Sequence, residues 1–382
     1  MTDPAGLSRE LTALRARLRT FVDEELLPAE GRHEVREEGE ASADLRRWVR
    51  QRAAEQGLFR LAQPREVGGG GLGPLGQVAL HEEIAASGAV LGHLVLGGDG
   101  GPLTLGTSEQ RERFLMPVLR GELTAAFAFT DAQEGPRTTA VRRADRFLLS
   151  GVKAFVTGGA QADLLVTVAR VTDNDGGATG TALFVVQKDA PGLRLRRDLR
   201  TLDGSLHGEF ELREVPVPVG DVLGDIGAGL PRALESITGV RLRVAALACG
   251  AGRWTLDYTL GQVDRPHRSG PPLAEREQVQ AMIADSAMDL YAARAALFAT
   301  ARRAEEGAVV DVEAAMAKAL ATEAVARIVD RAIQLTGAGA VVEGHPLARL
   351  YRRIRGWRIG EGTTEILRLV VARGLLARRR AR

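Results

Sequence analysis

The chain has 382 residues, of which 45% are hydrophobic and 26% are charged, so it is long enough for two or three folded domains and too apolar to be disordered. The 51 Lys and Arg residues against 49 Asp and Glu leave a formal charge of only +2, which gives no support for nucleic-acid binding. A single cysteine excludes an intrachain disulfide, and the charged N-terminal segment lacks an apolar signal core. No stretch approaches the roughly 18 apolar residues that cross a membrane. We therefore expect a cytoplasmic protein that binds neither nucleic acid nor a membrane.

Helical periodicity extends from about residue 7 to residue 120, interrupted by glycine-rich loops at 68–74 and 97–102. The stretch from Gly71 to Gly76 matches the dinucleotide fingerprint G-x-G-x-x-G, but this region is otherwise helical and no strand precedes it. Pro74 favours the start of a helix. We interpret the stretch as a loop and predict an N-terminal helical domain over 1–123.

Short runs of β-forming residues follow, at 125–130, 147–149, 154–157, 164–171 and 182–187. Asn174-Asp175-Gly176-Gly177 lies between the last two runs and is typical of a hairpin turn. Many short strands without intervening helices predict a central antiparallel, β-barrel-like domain over 124–227.

From residue 228 onward the pattern is helical again, which predicts a C-terminal four-helix bundle over 228–382. One apolar face comprises Val279, Met282, Ile283, Leu290 and Leu297, and the next comprises Ala317, Leu320, Ala321, Ala324, Val325, Ile328 and Leu335. The predicted fold class is therefore α+β, mainly α.

The segment Glu361-Gly362-Thr363-Thr364-Glu365 precedes an apolar helical pattern. Gly362 permits a tight bend, and Thr363 or Thr364 can cap the helix that follows. Because a carboxylate just before a helix faces free backbone N–H groups, these residues alone favour a structural cap for Glu361. The six histidines do not occur at metal-ligand spacing, so we expect no metal site.

Several segments, each weak alone, occur in a fixed order and spacing. The series includes Phe127-Ala128-Phe129-Thr130-Asp131, Lys153-Ala154-Phe155-Val156-Thr157, Gln334-Leu335-Thr336-Gly337 and Glu361-Gly362-Thr363. Together they resemble the acyl-CoA dehydrogenase family, and the resemblance runs from about residue 57 to residue 376. It implies a flavoenzyme that binds FAD between the β domain and the C-terminal bundle.

By this resemblance, Glu361 is the catalytic base that removes the proton alpha to a thioester while a hydride passes from the beta carbon to flavin N5. Some members carry the base on an earlier helix, immediately before the residue that matches Arg241, but Val240 occupies that position here. Arg241 and Gly362 match positions next to the substrate. Burial beside an acyl chain would raise the pKa of Glu361, and the helix start would oppose this.

The resemblance also implies the cofactor contacts. Phe155 would lie against the flavin ring, with Thr157 near its reactive edge and Thr130 at the other edge. Polar contacts to the pyrophosphate and adenosine would come partly from a second subunit. The matching cofactor positions are Phe127, Phe129, Thr130, Phe155, Thr157, Arg265, Gln334, Gly337, Thr363 and Glu365. Implied partners are an acyl thioester of CoA or a carrier protein, as in fatty acid metabolism, an electron-transfer flavoprotein, and copies of the chain in a homodimer or homotetramer.

The sequence departs from the family at cofactor and substrate contacts. Pro136 replaces a serine donor, Glu277 a glutamine, Ala340 a glycine of the phosphate loop, Gly360 a tyrosine, and Arg353 an aspartate. Three alternatives follow. The favoured one is a dehydrogenase with an unusual acyl thioester substrate; the others are another flavin-dependent oxidation on this fold and a non-catalytic scaffold that has lost FAD.

Overall fold

The computed structural model describes residues 6–37, 40–98, 100–172, 178–227, 229–266 and 270–380. The chain forms two compact units, a helical unit of Met1–Gly97 with Thr238–Arg382 and a β unit of Gly98–Ile237. The division into three domains at residues 123 and 227 stays a prediction. The predicted turn at Asn174-Asp175-Gly176-Gly177 lies outside the described residues.

In the N-terminal part of the helical unit, the described residues include the α-helices α1 (Arg9–Phe21), α2 (Leu27–Arg32), α3 (Ala43–Glu55) and α4 (Pro74–Ala86). The prediction that a helix starts at Pro74 is confirmed, because proline at the first helical position loses no backbone hydrogen bond. The preceding glycines lie in a loop, so the G-x-G-x-x-G stretch has no dinucleotide-binding context.

Two short helices, α5 (Ser108–Gln110) and α6 (Met116–Arg120), belong to the β unit. The C-terminal helices are α7 (Gly229–Val263), α8 (Glu277–Glu305), α9 (Asp311–Thr336), α10 (Pro346–Trp357) and α11 (Thr364–Arg380). Their shared core includes Cys249, Leu290, Leu297 and Ile328. Leu320, predicted to share the buried face of α9, is 50% exposed, because it lies at the margin of the apolar stripe. In the described part of the chain no helix is long and apolar enough to span a membrane.

The described residues of the β unit form one sheet of eight strands: β1 (Ala125–Ala128), β2 (Thr139–Arg143), β3 (Arg146–Thr157), β4 (Leu164–Thr172), β5 (Ala178–Gln187), β6 (Leu193–Arg200), β7 (Leu206–Pro218) and β8 (Val222–Leu223). The strand order is β6-β7-β3-β2-β4-β5-β8, and β1 pairs with β4. The central β region is as predicted, but the sheet is not closed into a barrel. Its edges are β6, which is charged and largely exposed, and β8, which has two residues, so neither supplies a closing ladder. The β1–β4 and β2–β4 pairs are also parallel, whereas we predicted an antiparallel domain.

Four strands, β2, β6, β7 and β8, were not predicted. The sequence of β6 is charged because this edge strand faces solvent. Pro216 and Pro218 made the end of β7 resemble a loop, yet they pair with β3 at Leu148 and Arg146. Proline is tolerated there because β6 pairs with β7 only up to Leu212, which leaves the following edge of β7 without a neighbouring strand.

Candidate active site

Glu361 lies in the short loop between α10 and α11 and has an unusual backbone conformation. Its φ is +58°, and that of Gly362 is +100°. A left-handed conformation suits glycine but is strained for glutamate, and it persists only where surrounding contacts fix it. Strained backbone that surrounding contacts hold in place is common at functional sites, which makes this loop a candidate for one.

Two cations on neighbouring helices hold the backbone of this loop. The Nζ of Lys318 in α9 donates a hydrogen bond to the carbonyl oxygen of Gly362 at 2.8 Å. The Nε of Arg241 in α7 donates to the carbonyl oxygen of Glu361 at 3.2 Å. Lys318 is fully buried and Arg241 is 7% exposed, so both bonds are shielded from competing water.

A carboxylate of α9 ties down the ends of the same loop. Glu323 Oε1 accepts hydrogen bonds from Thr364 Oγ1 at 2.8 Å and from Arg358 Nε at 3.0 Å. Arg358 precedes the loop and Thr364 begins α11, so one side chain fixes both flanks. Neither Lys318 nor Glu323 was predicted as a site residue.

The helix cap at this position is Thr363, not Glu361. Thr363 Oγ1 accepts a hydrogen bond from the backbone N–H of Ile366 at 3.3 Å, as expected for a residue at the N-cap of α11. Among the described residues none donates a hydrogen bond to the carboxylate of Glu361. The structural-cap interpretation therefore does not account for Glu361.

Removing this cap should weaken the helix that follows the loop. We expect Thr363→Ala to lower the free energy of unfolding by about 1 kcal/mol, because the N–H of Ile366 loses its acceptor. Urea unfolding followed by circular dichroism measures the change. Thr363→Ser keeps the acceptor oxygen and should stay within a few tenths of the wild-type value; equal losses in both variants would contradict the cap.

The surroundings of Glu361 shift its ionisation. Although the residue is accessible to solvent, the protein around its carboxyl group desolvates it and raises its pKa. The positive charges of Arg243, Arg241 and Lys318 oppose this rise. Burial lowers the pKa of Lys318 to about 8, while the charge of Glu361 counteracts that effect. A carboxylate with a raised pKa and no hydrogen-bond donor suits the acceptance of a proton.

In the β unit, Phe155 is one of the exposed residues among the predicted flavin contacts. It is 61% exposed although it lies within β3, and its φ is +54°. The pairing of β3 with β7 shifts in register between Lys153 and Val156. This bulge turns the ring away from the sheet core and presents a flat aromatic face to solvent.

The strand ends around Phe155 bring together the other residues predicted to lie near the flavin. The carbonyl of Thr130 accepts a hydrogen bond from the N–H of Ala154 at 2.9 Å. Buried Lys153 donates to the carbonyl of Phe129 at 3.0 Å. The rings of Phe127 and Phe129 lie 5.8 Å apart, and Thr157 Oγ1 lies 3.2 Å from Nδ1 of His207, which the sequence did not single out.

Three other predicted cofactor residues, Arg265, Gln334 and Gly337, lie far from the Glu361 loop. Arg265 lies beyond the end of α7, whose length from Arg241 to Val263 is about 33 Å at the standard helical rise. Gln334 and Gly337 lie at the end of α9, whereas Lys318 is in its first half. The structure of a single chain therefore does not bring these residues to Glu361. Glu365 is close in sequence but is exposed on α11.

The residues that depart from the family have different structural settings. Pro136 is exposed, and its carbonyl accepts a hydrogen bond from the N–H of Val152 at 3.3 Å. Glu277 is exposed at the start of α8. Ala340 is fully buried in a small core cluster with Ala332 and Leu347. Its methyl group therefore packs within the fold.

Comparisons with known proteins agree with the resemblance. Models of the N-terminal, middle and C-terminal domains of acyl-CoA dehydrogenases match residues 8–122, 126–215 and 227–376. The chain is 30% identical over 374 residues to the 3-(aryl)acrylate reductase of Clostridium sporogenes, covering 95% of this chain and 97% of that protein. It is 29% identical over 380 residues to a subunit of the caffeyl-CoA reductase-Etf complex of Acetobacterium woodii, covering 97% and 99%.

A solved structure agrees as well. The acyl-CoA dehydrogenase of Geobacillus kaustophilus superimposes with a TM-score of 0.82 at 27% identity, covering 97% of this chain and 99% of that one. The domain models together match most of the chain in the order that the family requires. The chain therefore belongs to the acyl-CoA dehydrogenase family, whose members are flavin oxidoreductases that act on CH–CH groups.

Proposed function

We propose that this protein is an FAD-dependent acyl thioester oxidoreductase in which Glu361 exchanges the proton alpha to the thioester carbonyl. The observation that carries the proposal is the Glu361 loop. Buried Lys318 and Arg241 fix a strained backbone, while the carboxylate keeps no hydrogen-bond donor among the described residues and has a raised pKa. These are the properties that a general base needs.

FAD, the cofactor of this family, supplies when bound the hydride acceptor for the beta carbon. The side chains of this protein provide for transfer of the alpha proton. A carboxylate oxygen of Glu361 takes the alpha proton, and the electron pair of that C–H bond forms the double bond as the beta hydride departs. Arg241 and Lys318 keep the loop in place and attract the negative charge of the base. In the reverse direction Glu361 returns the proton, and the thioester is reduced at its double bond.

The residues present fit FAD. The exposed ring of Phe155 offers a stacking surface, and the hydroxyl of Thr157 is exposed on the same strand. Arg265 is exposed with no carboxylate within ion-pair distance among the described residues, which leaves its guanidinium for a phosphate. Gly337 has φ +79° and open space where a side chain would project, so its backbone is approachable.

The role of Phe155 can be tested by cofactor retention. We expect Phe155→Ala to weaken FAD binding roughly 3- to 10-fold, because it removes an aromatic surface worth about 0.5–1.5 kcal/mol. The dissociation constant follows from flavin fluorescence during titration of apoprotein. Phe155→Trp keeps an aromatic face and should bind FAD nearly as wild type does. Equal affinity in the alanine variant would place the flavin elsewhere.

The electron acceptor and assembly belong to the same proposal. A relative that is a subunit of an Etf complex supports an electron-transferring flavoprotein as the partner. We also propose a homodimer or homotetramer in the cytoplasm, in which Arg265, Gln334 and Gly337 complete a cofactor site of another subunit. Their distance from Glu361 along α7 and α9 supports this arrangement.

An absorption spectrum and an anaerobic titration test the proposed function. Purified protein should carry a flavin spectrum, or acquire one on addition of FAD. A panel of acyl-CoA and acyl-carrier thioesters should bleach it, or unsaturated thioesters should reoxidise the reduced enzyme. A colourless protein that takes up no FAD would favour a scaffold, and bound FAD that no thioester affects would favour another flavin-dependent oxidation.

A further inference from the structure

The helical unit contains a cavity of about 60 Å³ that the proposed catalytic residues do not line. It lies where α4 and the turn after it face α7 and α10. Much of its wall is apolar or aromatic, including Leu247, Trp254, Leu350 and Trp357. Such a wall suits the hydrocarbon or aryl part of a ligand.

One end of this cavity is positively charged. Arg349 and Arg353, one turn apart on α10, both line it, and no residue of its lining carries a carboxylate. The guanidinium of Arg353 lies 5.9 Å from the centre of the Trp357 ring, and no carboxylate lies within ion-pair distance among the described residues. Two cations beside a partly apolar cavity favour an anionic ligand group.

The acidic groups nearby are already engaged. The carboxylate of Glu30 accepts hydrogen bonds from the N–H groups of Val90 and Leu91 at 3.1 and 2.7 Å. Glu37 forms an ion pair with Arg352. Arg349 donates to the carbonyl oxygens of Arg36 and Gly88, so it is partly satisfied. Among the described residues Arg353 has no carboxylate partner, so its guanidinium is available to a ligand carboxylate.

The distance between the cavity and the Glu361 loop matches the length of an acyl chain. Arg241 of α7 contacts that loop, and the cavity residues Leu247 and Trp254 lie roughly 9 and 20 Å farther along the same helix. Trp357 ends α10 directly before the loop. A ligand with its thioester at Glu361 and an extended acyl group of medium length spans this distance.

We infer that the cavity binds the far end of the substrate's acyl group and that Arg353 selects a carboxylate at that end. The substrate class is then a thioester of a dicarboxylic acid, or of an aryl acid with a terminal carboxylate. The inference rests on the proposed function, because it takes the thioester to lie at Glu361. The carboxylate would form a charge-assisted pair with Arg353, while the two tryptophans contact the apolar body.

Binding of CoA thioethers tests this without turnover. A thioether has no carbonyl, so it cannot lose the alpha proton to Glu361 and acts as a dead-end ligand. Calorimetric titration of the FAD-loaded protein compares octyl-CoA with its ω-carboxy counterpart, and shorter and longer homologues bracket the length. Wild type should bind the ω-carboxy ligand at least about tenfold more tightly, the discrimination that a hydrogen bond to a charged group provides.

The variants assign the effect to one side chain. Arg353→Met should reduce this discrimination to about one while octyl-CoA binding stays the same, and Arg353→Lys should retain part of it. Arg355→Met, an exposed arginine of the same helix that does not line the cavity, is the matched control and should keep the wild-type ratio. If Arg353→Met does not fold, Arg353→Lys is compared with the Arg355→Met control, and only the lysine variant should show a reduced ratio.

The outcomes separate the two proposals. If wild type binds both thioethers equally, or Arg353→Met keeps the discrimination, the carboxylate inference is overturned while the thioester function stands. If neither thioether binds, the inference is overturned, and the flavin titration with acyl-CoA and acyl-carrier thioesters decides whether the thioester function stands.

Discussion

Glu361→Gln is expected to lower the rate of flavin reduction by an acyl thioester about 10²- to 10⁴-fold while leaving FAD bound. The amide has nearly the same size but cannot accept the alpha proton, and general base catalysis contributes a factor of this order. Anaerobic stopped-flow absorbance of the FAD-loaded protein measures the rate, and the visible spectrum before mixing shows that the cofactor is retained.

The matched control is Glu343→Gln, an exposed glutamate in the loop before α10 with no predicted role. It should reduce at the wild-type rate. Unchanged reduction in Glu361→Gln would show that the base lies elsewhere. The side chain at position 240 cannot replace it, since Val240 has no ionisable group.

The same base predicts a pH dependence. Because desolvation raises the pKa of Glu361 above its ordinary value of 4.5, the reduction rate should climb with pH through a range above that value. Its effect on stability has the opposite sign, since ionising a desolvated carboxyl group costs free energy. The folded state therefore loses stability as pH rises from the ordinary pKa to the raised one. Glu361→Gln should remove both dependences.

The sequence located this loop well, for a physical reason. Glycine at the bend, threonine at the cap and an apolar helical pattern after them are local signals, and Gly362 and Thr363 occupy the predicted positions. The sequence alone favoured a cap role for Glu361, and the resemblance reversed that choice. The left-handed conformation of Glu361 could not be predicted, because tertiary hydrogen bonds impose it.

The contacts that hold the loop come from distant parts of the chain. Lys318 lies in an alanine-rich buried stripe of α9, and a lysine within such a stripe is a sequence signal of a buried charge that needs a partner. His207 beside Thr157 gave no local signal, because β7 itself was missed. The sheet has open edges, so the prediction of a barrel-like domain was wrong in this respect. Closure of a sheet depends on which strands pair, and the sequence pattern of a single strand does not show its partner.

Lys318→Met is expected to shift the pH dependence of catalysis and to loosen the loop. The substitution removes a positive charge that lowers the pKa of Glu361, so that pKa should rise and the ascending limb of the rate profile should move to higher pH. It also removes the donor to the carbonyl of Gly362, and an unsatisfied buried carbonyl costs about 1–3 kcal/mol. At neutral pH we expect roughly tenfold slower reduction from the misplaced base.

Lys318→Arg retains a cation and should leave the ascending limb near its wild-type position, even if packing slows the rate. Other charged groups near the loop include Arg241 and Arg243 on α7, Glu323 on α9, Arg358 before the loop and Glu365 on α11, and neither variant changes them. If the ascending limb of the pH–rate profile does not move in Lys318→Met, Lys318 supports the loop without changing the pKa of Glu361.

Protein stability provides an independent test of the buried lysine. Burial lowers the pKa of Lys318 from 10.5 to about 8, so between these values the unfolded chain binds more protons than the folded one. The folded state therefore gains stability as pH rises through that window, and it carries the full cost of the buried ammonium below it. The unfolding free energy of wild type minus that of Lys318→Met should accordingly increase from about pH 8 to 10.5. Lys188→Met, which removes an exposed lysine of the β unit, is the control for the loss of a lysine side chain. Parallel curves for wild type and Lys318→Met would mean that Lys318 titrates as in water.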